Sequence, residues 1–119
     1  MMKHNFKARE IWKRSRKLVK NTYLITKSFP SEEKFSLISQ MNRSAVSIPS
    51  NIAEGCGRGT DAQLVHFLDI AIGSNCELET QFYLAFDIGY LSQQILDTFA
   101  DEIAQIRRMT IRFSEKHKK

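Results

Sequence analysis

Apolar side chains recur along this chain at three- and four-residue steps in four successive stretches, which is the rhythm of amphipathic helices. The first stretch runs from about Ala8 to Ser28, with Ile11, Trp12, Ser15, Leu18, Val19, Thr22, Ile25, Thr26 and Phe29 on one face. It ends at Phe29-Pro30, because proline disfavours the helical conformation in the residue before it and has no N–H to donate. Ser31 followed by Glu32 and Glu33 predicts the start of a second helix, with a capping hydroxyl and acids at the positive end of the dipole. Phe35, Ile38, Met41, Ala45, Ile48 and Ile52 form its stripe, and Pro49 predicts a kink or break near Ser47. Glycines at 55, 57 and 59 stop it, with Gly55 suited to a left-handed cap.

Thr60-Asp61-Ala62-Gln63 has the pattern of a capping box opening the third helix. Leu64, Phe67, Leu68, Ala71, Leu78, Phe82, Ala85 and Phe86 carry its stripe to Gly89, and Gly73-Ser74 offers a flat place for a neighbour's backbone. The last helix opens near Ser92 and carries Ile95, Leu96, Phe99, Ile103, Ile106, Met109, Ile111 and Phe113. The elements are thus expected at about 8–28, 31–55, 60–89 and 92–116. Joints of a few residues force neighbouring helices to run antiparallel. The expectation is an all-α, up-down-up-down antiparallel four-helix bundle, one domain over 1–119. Trp12, Phe67, Phe82 and Phe99 are expected in its core. Ile72, Tyr83 and Tyr90 are an apolar excess that suits a subunit interface.

At 119 residues and 42% hydrophobic, the chain can bury about two thirds of its unfolded surface and needs no staples. That length excludes a multi-domain enzyme. No apolar run approaches the roughly 18 residues of a membrane helix, and Met1-Met2-Lys3-His4-Asn5 leads into charges, so a cytoplasmic protein without a membrane partner is expected. Cys56 and Cys76 are too few for a disulfide framework. His4, His66 and His117 are far apart and no Glu-x-x-His pair occurs, which excludes the usual di-iron site of ferritin-like bundles. Neither a metal site nor a cofactor is expected.

Charge sharpens the picture. Residues 1–30 hold nine basic and one acidic residue, 31–60 three of each, 61–100 six acidic and no basic, and 101–119 six basic and three acidic, within a total of +5. Such segregation predicts both pairing between the first and third helices and a polarised surface. Arg9, Lys13, Arg16, Lys20 and Lys27 share a stripe opposite the first helix's apolar face, with Lys17 beside it. Residues four apart rise about 6 Å, close to the phosphate spacing along one strand. Arg9, Lys13, Arg16, Lys17 and Lys20 are therefore candidates for contact with nucleic-acid phosphates, with Arg58 as a further one. The alternative is a solvated face that neutralises the acidic third helix.

Gly55-Cys56-Gly57-Arg58-Gly59 follows no strand and lacks a Gly-Lys-Ser/Thr sequence, so it reads as a cap and joint rather than a nucleotide loop. Arg43, Asn51, Glu54, Glu77 and Glu79 lack a matched base, nucleophile or metal partner. Structural roles are expected for them, including a pair between Arg43 and Glu77 or another acid that fixes helix register. No enzymatic activity is expected.

Two segments resemble a known family. They are Phe29-Pro30-Ser31-Glu32-Glu33-Lys34-Phe35-Ser36-Leu37 and the run from Gln40-Met41-Asn42-Arg43-Ser44 through Ile48-Pro49-Ser50-Asn51-Ile52-Ala53-Glu54-Gly55. Phe67-Leu68, Ala71, Gly73-Ser74 and Glu77-Leu78-Glu79-Thr80-Gln81 add to them. Over about Ile11 to Leu91 the chain resembles the bacterial four-helix-bundle proteins encoded in intervening sequences of 23S ribosomal RNA, and more distantly the accessory variability proteins of diversity-generating retroelements. The resemblance implies a four-helix protomer, a homopentameric ring and association with RNA or DNA, and it implies no known reaction. In a ring of five, the charge of each protomer would sum to about +25 and weak phosphate contacts would multiply.

Overall fold

A computed structural model describes residues 4–118, leaving Met1–Lys3 and Lys119 outside it. Four helices make up almost all of it: α1 (Glu10–Thr26), α2 (Leu37–Cys56), α3 (Asp61–Asp87) and α4 (Gln93–His117). There is no strand among the described residues. Single 3₁₀ turns at Phe6–Ala8 and Ser31–Glu33 precede α1 and α2.

Pairs of contacts give the direction of each helix. Ser44 meets Glu77 and Ser47 meets Ser74, so α2 and α3 are antiparallel. Asn75 meets Ile103 while Phe82 meets Phe99, so α3 and α4 are antiparallel. Arg9 lies over Phe113 and Arg14 reaches Glu102, so α4 returns alongside α1. The core between them holds Met41, Ile48, Ile52, Leu64, Leu68, Leu78, Phe82, Leu96, Ile103 and Ile106, all fully buried. Each such side chain contributes about 1.5–3 kcal/mol through burial. Of the four expected core aromatics, Phe82 is fully buried and Trp12 and Phe99 pack partly buried against the core. Phe67 is half-buried and meets His66 and Arg58 at the surface.

α1 touches α2 and α4 but not α3, which stands diagonally across the bundle. The expected pairing between a basic first helix and an acidic third is therefore not made, and the two charges face opposite sides.

Helix ends differ from expectation where capping residues serve other ends. α2 starts at Leu37, not Ser31, because Ser31–Glu33 closes as a 3₁₀ turn. Phe35 lies in the joint, 90% exposed, rather than on the α2 stripe. Glu33 anchors this joint: its Oε1 accepts the Leu37 N–H at 3.4 Å and its Oε2 accepts the Tyr90 hydroxyl at 2.6 Å. Tyr90 is thus engaged within the chain, its ring also 5.2 Å from that of Phe29.

α2 runs unbroken through Pro49, and the Asn51 amide donates to the Ser47 carbonyl at 2.8 Å within the same stretch. Gly55 is inside the helix rather than a left-handed cap. A Cβ there would stand 3.1 Å from Phe67 Cβ and 3.2 Å from the Leu64 carbonyl, so the glycine permits close approach of α3. Gly73, expected to serve that purpose, faces open space. Gly89 is the one described residue with positive φ (87°), and it ends the stretch after α3. Thr60 and Ser92 cap α3 and α4 by accepting the N–H groups of Gln63 and Ile95.

Candidate nucleic-acid interface

The outer face of α1 follows from its amphipathic sequence. Once Ile11, Ser15, Leu18, Thr22 and Thr26 turn to the core, Lys13, Arg16, Lys17 and Lys20 are exposed together on the far side. From Lys13 to Lys20 the row spans about 11 Å along the axis. Lys13 touches Glu10 at 3.9 Å, and Arg16 rests 5.6 Å from the Trp12 ring. Among the described residues no carboxylate lies within salt-bridge distance of Arg16, Lys17 or Lys20. A row of this kind offers positive charge and donors to phosphate without first having to break an internal bond.

Two of the predicted residues are not part of it. Arg9 caps α1 and folds inward, its Nη2 3.1 Å from His4 Nδ1 and its guanidinium 4.1 Å from the Phe113 ring centre. Burial, reinforced by His117 and Arg9, holds the His4 imidazole below its ordinary pKa. Arg58 is in the joint between α2 and α3, bound to Glu54 at 2.7 Å and 4.7 Å from the Phe67 ring centre. That joint is at the end of the bundle where the His4 N–H donates to the Cys56 carbonyl, away from the middle of the row.

α4 supplies cations that the candidate set omits. Arg108, Arg112 and Lys116 recur at four-residue steps and are exposed. Antiparallel packing lays the C-terminal half of α4 beside the N-terminal half of α1, and a groove of about 220 Å³ between them is lined by Arg9, Glu10, Arg112 and Lys116 among others. The four-residue spacing is the signal that could have found them. Nearer the other end, α1 and α4 splay around a larger groove of about 750 Å³ with Leu18, Leu24, Ile25, Ile95 and Phe99 in its walls. Arg14 closes one end of it, donating through Nε to Glu102 Oε2 at 3.0 Å and through Nη2 to Gln105 Oε1 at 2.7 Å.

The residues quoted for the resemblance mark the seam between α2 and α3. Ser44 donates to Glu77 Oε1 at 3.0 Å, the Ser47 and Ser74 hydroxyls are 2.7 Å apart, and Asn51 donates to Ser47 Oγ at 2.9 Å. The expected Arg43–Glu77 pair is not formed: Arg43 is exposed, and Glu77 is engaged by Ser44 instead. Arg14–Glu102 and Arg107–Glu79 are ion pairs that cross between helices, and His117 Nδ1 on α4 stands 3.3 Å from Asp61 Oδ1 on α3. Arg107 also donates to Asn75 Oδ1 at 2.8 Å, and Asn75 Nδ2 donates to the Ile103 carbonyl at 2.8 Å. Cys56 is buried, which pushes its thiol above its ordinary pKa, whereas Cys76 is exposed.

No helix among the described residues is long and apolar enough to cross a membrane. The fold is shared with a crystal structure from Bacteroides thetaiotaomicron, a protein of unknown function from the S23 ribosomal protein family. The TM-score is 0.82 at 22% identity, covering 88% of this chain and 95% of that one. No protein with a curated function matches the chain. Residues 7–112 match the 23S rRNA-intervening sequence proteins, a span that takes in all of α1, α2 and α3 and most of α4, and the chain belongs to that family.

Proposed function

We propose that the protein is a non-enzymatic, homo-oligomeric nucleic-acid-binding protein that holds backbone phosphates on the outer face of α1. The observation that carries this reading is the exposed row of Lys13, Arg16, Lys17 and Lys20, three of whose charges have no carboxylate beside them. Arg112 and Lys116 on α4 widen the positive surface at one end. The family's name points to RNA as the first ligand to test, and a face that reads phosphates takes DNA as well. The row carries no exposed aromatic between its cations, so it tracks a backbone and does not read bases. A ring of five copies would repeat the row and raise weak contacts to useful affinity through avidity.

Four phosphate contacts per protomer predict a log–log salt slope of about −3 to −4. Reversing Arg16 and Lys20 to Glu should abolish binding to a ribosomal RNA fragment in a filter assay while leaving the melting temperature nearly unchanged. Retained binding in that variant removes α1 as the interface. A second reading, a ring-forming scaffold that binds another protein, is favoured by the 750 Å³ groove and by Leu24 at its edge, 53% exposed. It predicts affinity for a protein partner that is insensitive to these reversals.

A further inference from the structure

Three parts of the chain that are distant in sequence meet at one end of the bundle. His4 precedes α1, Asp61 opens α3 and His117 closes α4. One nitrogen or oxygen from each of them lies within 4.8 Å of the other two. His117 Nδ1 and Asp61 Oδ1 are 3.3 Å apart. Zinc bonds of about 2.0–2.1 Å at tetrahedral angles separate neighbouring ligand atoms by about 3.3 Å, so this pair already has the required edge length. The His4 and His117 rings are edge to face with centroids 4.8 Å apart, and the Phe113 ring stands 5.4 and 5.3 Å from them as an apolar wall. All three polar residues are half-buried, which leaves one side open to solvent.

We propose that His4, Asp61 and His117 bind one divalent transition-metal ion of the Zn²⁺ type, with a fourth position open to water or an external ligand. Two imidazoles and one carboxylate suit Zn²⁺ or Co²⁺ and are poorly matched to Mg²⁺, which prefers oxygen throughout. The ion ties the segment before α1 to the start of α3 and the end of α4. It also changes the state of Arg9. That guanidinium now donates to His4 Nδ1. A neutral imidazole that gives one nitrogen to a metal carries its proton on the other, so whichever nitrogen binds, Arg9 is released.

The test uses the full chain without an affinity tag, stripped with chelator and titrated with Zn²⁺ by calorimetry. One ion per chain is expected, with a rise in melting temperature and visible d–d bands when Co²⁺ replaces Zn²⁺. His4→Ala and His117→Ala should each weaken binding about tenfold or more, with helix content by circular dichroism unchanged, since both residues lie at the ends of the bundle. His66→Ala and Cys76→Ser should bind as the parent does. Absence of Zn²⁺ uptake by the folded protein, or uptake undiminished in the His4→Ala/His117→Ala double variant, overturns the proposal.

Discussion

Two glycines show how a residue's neighbours decide the sign of the same substitution. Ala at Gly73 meets open space in mid-helix and should stabilise the protein by about 0.5–1 kcal/mol, because it removes backbone freedom from the unfolded chain. Ala at Gly55 meets the Leu64 carbonyl and Phe67 Cβ, neither of which is the end of a flexible side chain. There the clash outweighs the propensity gain, and we expect a net loss of about 1–2 kcal/mol. Thermal melts of the two variants should move in opposite directions. The Glu33–Tyr90 bond gives a pH dependence of defined sign. The Tyr90 hydroxyl, followed by the Leu37 N–H, holds the Glu33 carboxyl below its ordinary 4.5. Its contribution is therefore complete above about 4.5 and lost as pH falls through the lower folded value. The same bond with Glu33 raises Tyr90 above its ordinary 10.0, so the phenol's contribution is complete below that and lost as pH rises past the folded value. The stability difference between the parent and Tyr90→Phe should be flat from about pH 6 to 9 and should shrink as pH falls below about 4.5.

At the scale of helices, periodicity made all four legible, because burial of one face imposes three- and four-residue spacing whatever the partner. Their joints were less legible. A serine followed by acids is compatible with one 3₁₀ turn as well as with a long helix, and the tie from Glu33 to Tyr90, 57 residues away, which accompanies the start of α2 at Leu37, has no local signal. The helix-to-helix pairs were not legible either. Arg43 is an arginine within four residues of the core stripe, yet the angle of its position turns it to solvent, while Arg107 on α4 finds Glu79 and Asn75. Asn75 reads in sequence as an ordinary polar helix residue, and its burial appears only when α4 is laid against it. Asn75→Ala leaves the Ile103 carbonyl and Arg107 each short of a partner and empties an amide's worth of space. A loss of about 2 kcal/mol is expected, or roughly 8 °C in melting temperature. A loss under about 0.5 kcal/mol would mean that Glu79 alone satisfies Arg107.

For the whole molecule, the diagonal placement of α1 and α3 sets the electrostatics. Because the two do not touch, Lys13, Arg16, Lys17 and Lys20 on α1 are not paired with Asp69, Glu77 and Asp87 on α3, and the exposed positive and negative charges stand on different helices. Such a basic face could take a phosphate backbone, as proposed, or the acidic face of a second copy. The two differ in what salt does. Phosphate contacts release counterions, so raising salt from about 0.05 to 0.5 M should cut nucleic-acid affinity by about a thousandfold at a slope of −3. In the proposed assembly, contacts between copies through apolar surface, for which Tyr83 and Leu84 on α3 and Ile88 just after it are exposed, would gain or hold strength over the same range. Light scattering in both salts, with nucleic acid followed by its 260 nm absorbance, should therefore show the ligand leaving while the mass of the assembly is unchanged. Mass and ligand falling together would place the α1 row in the joint between copies, where it could not also carry a phosphate chain.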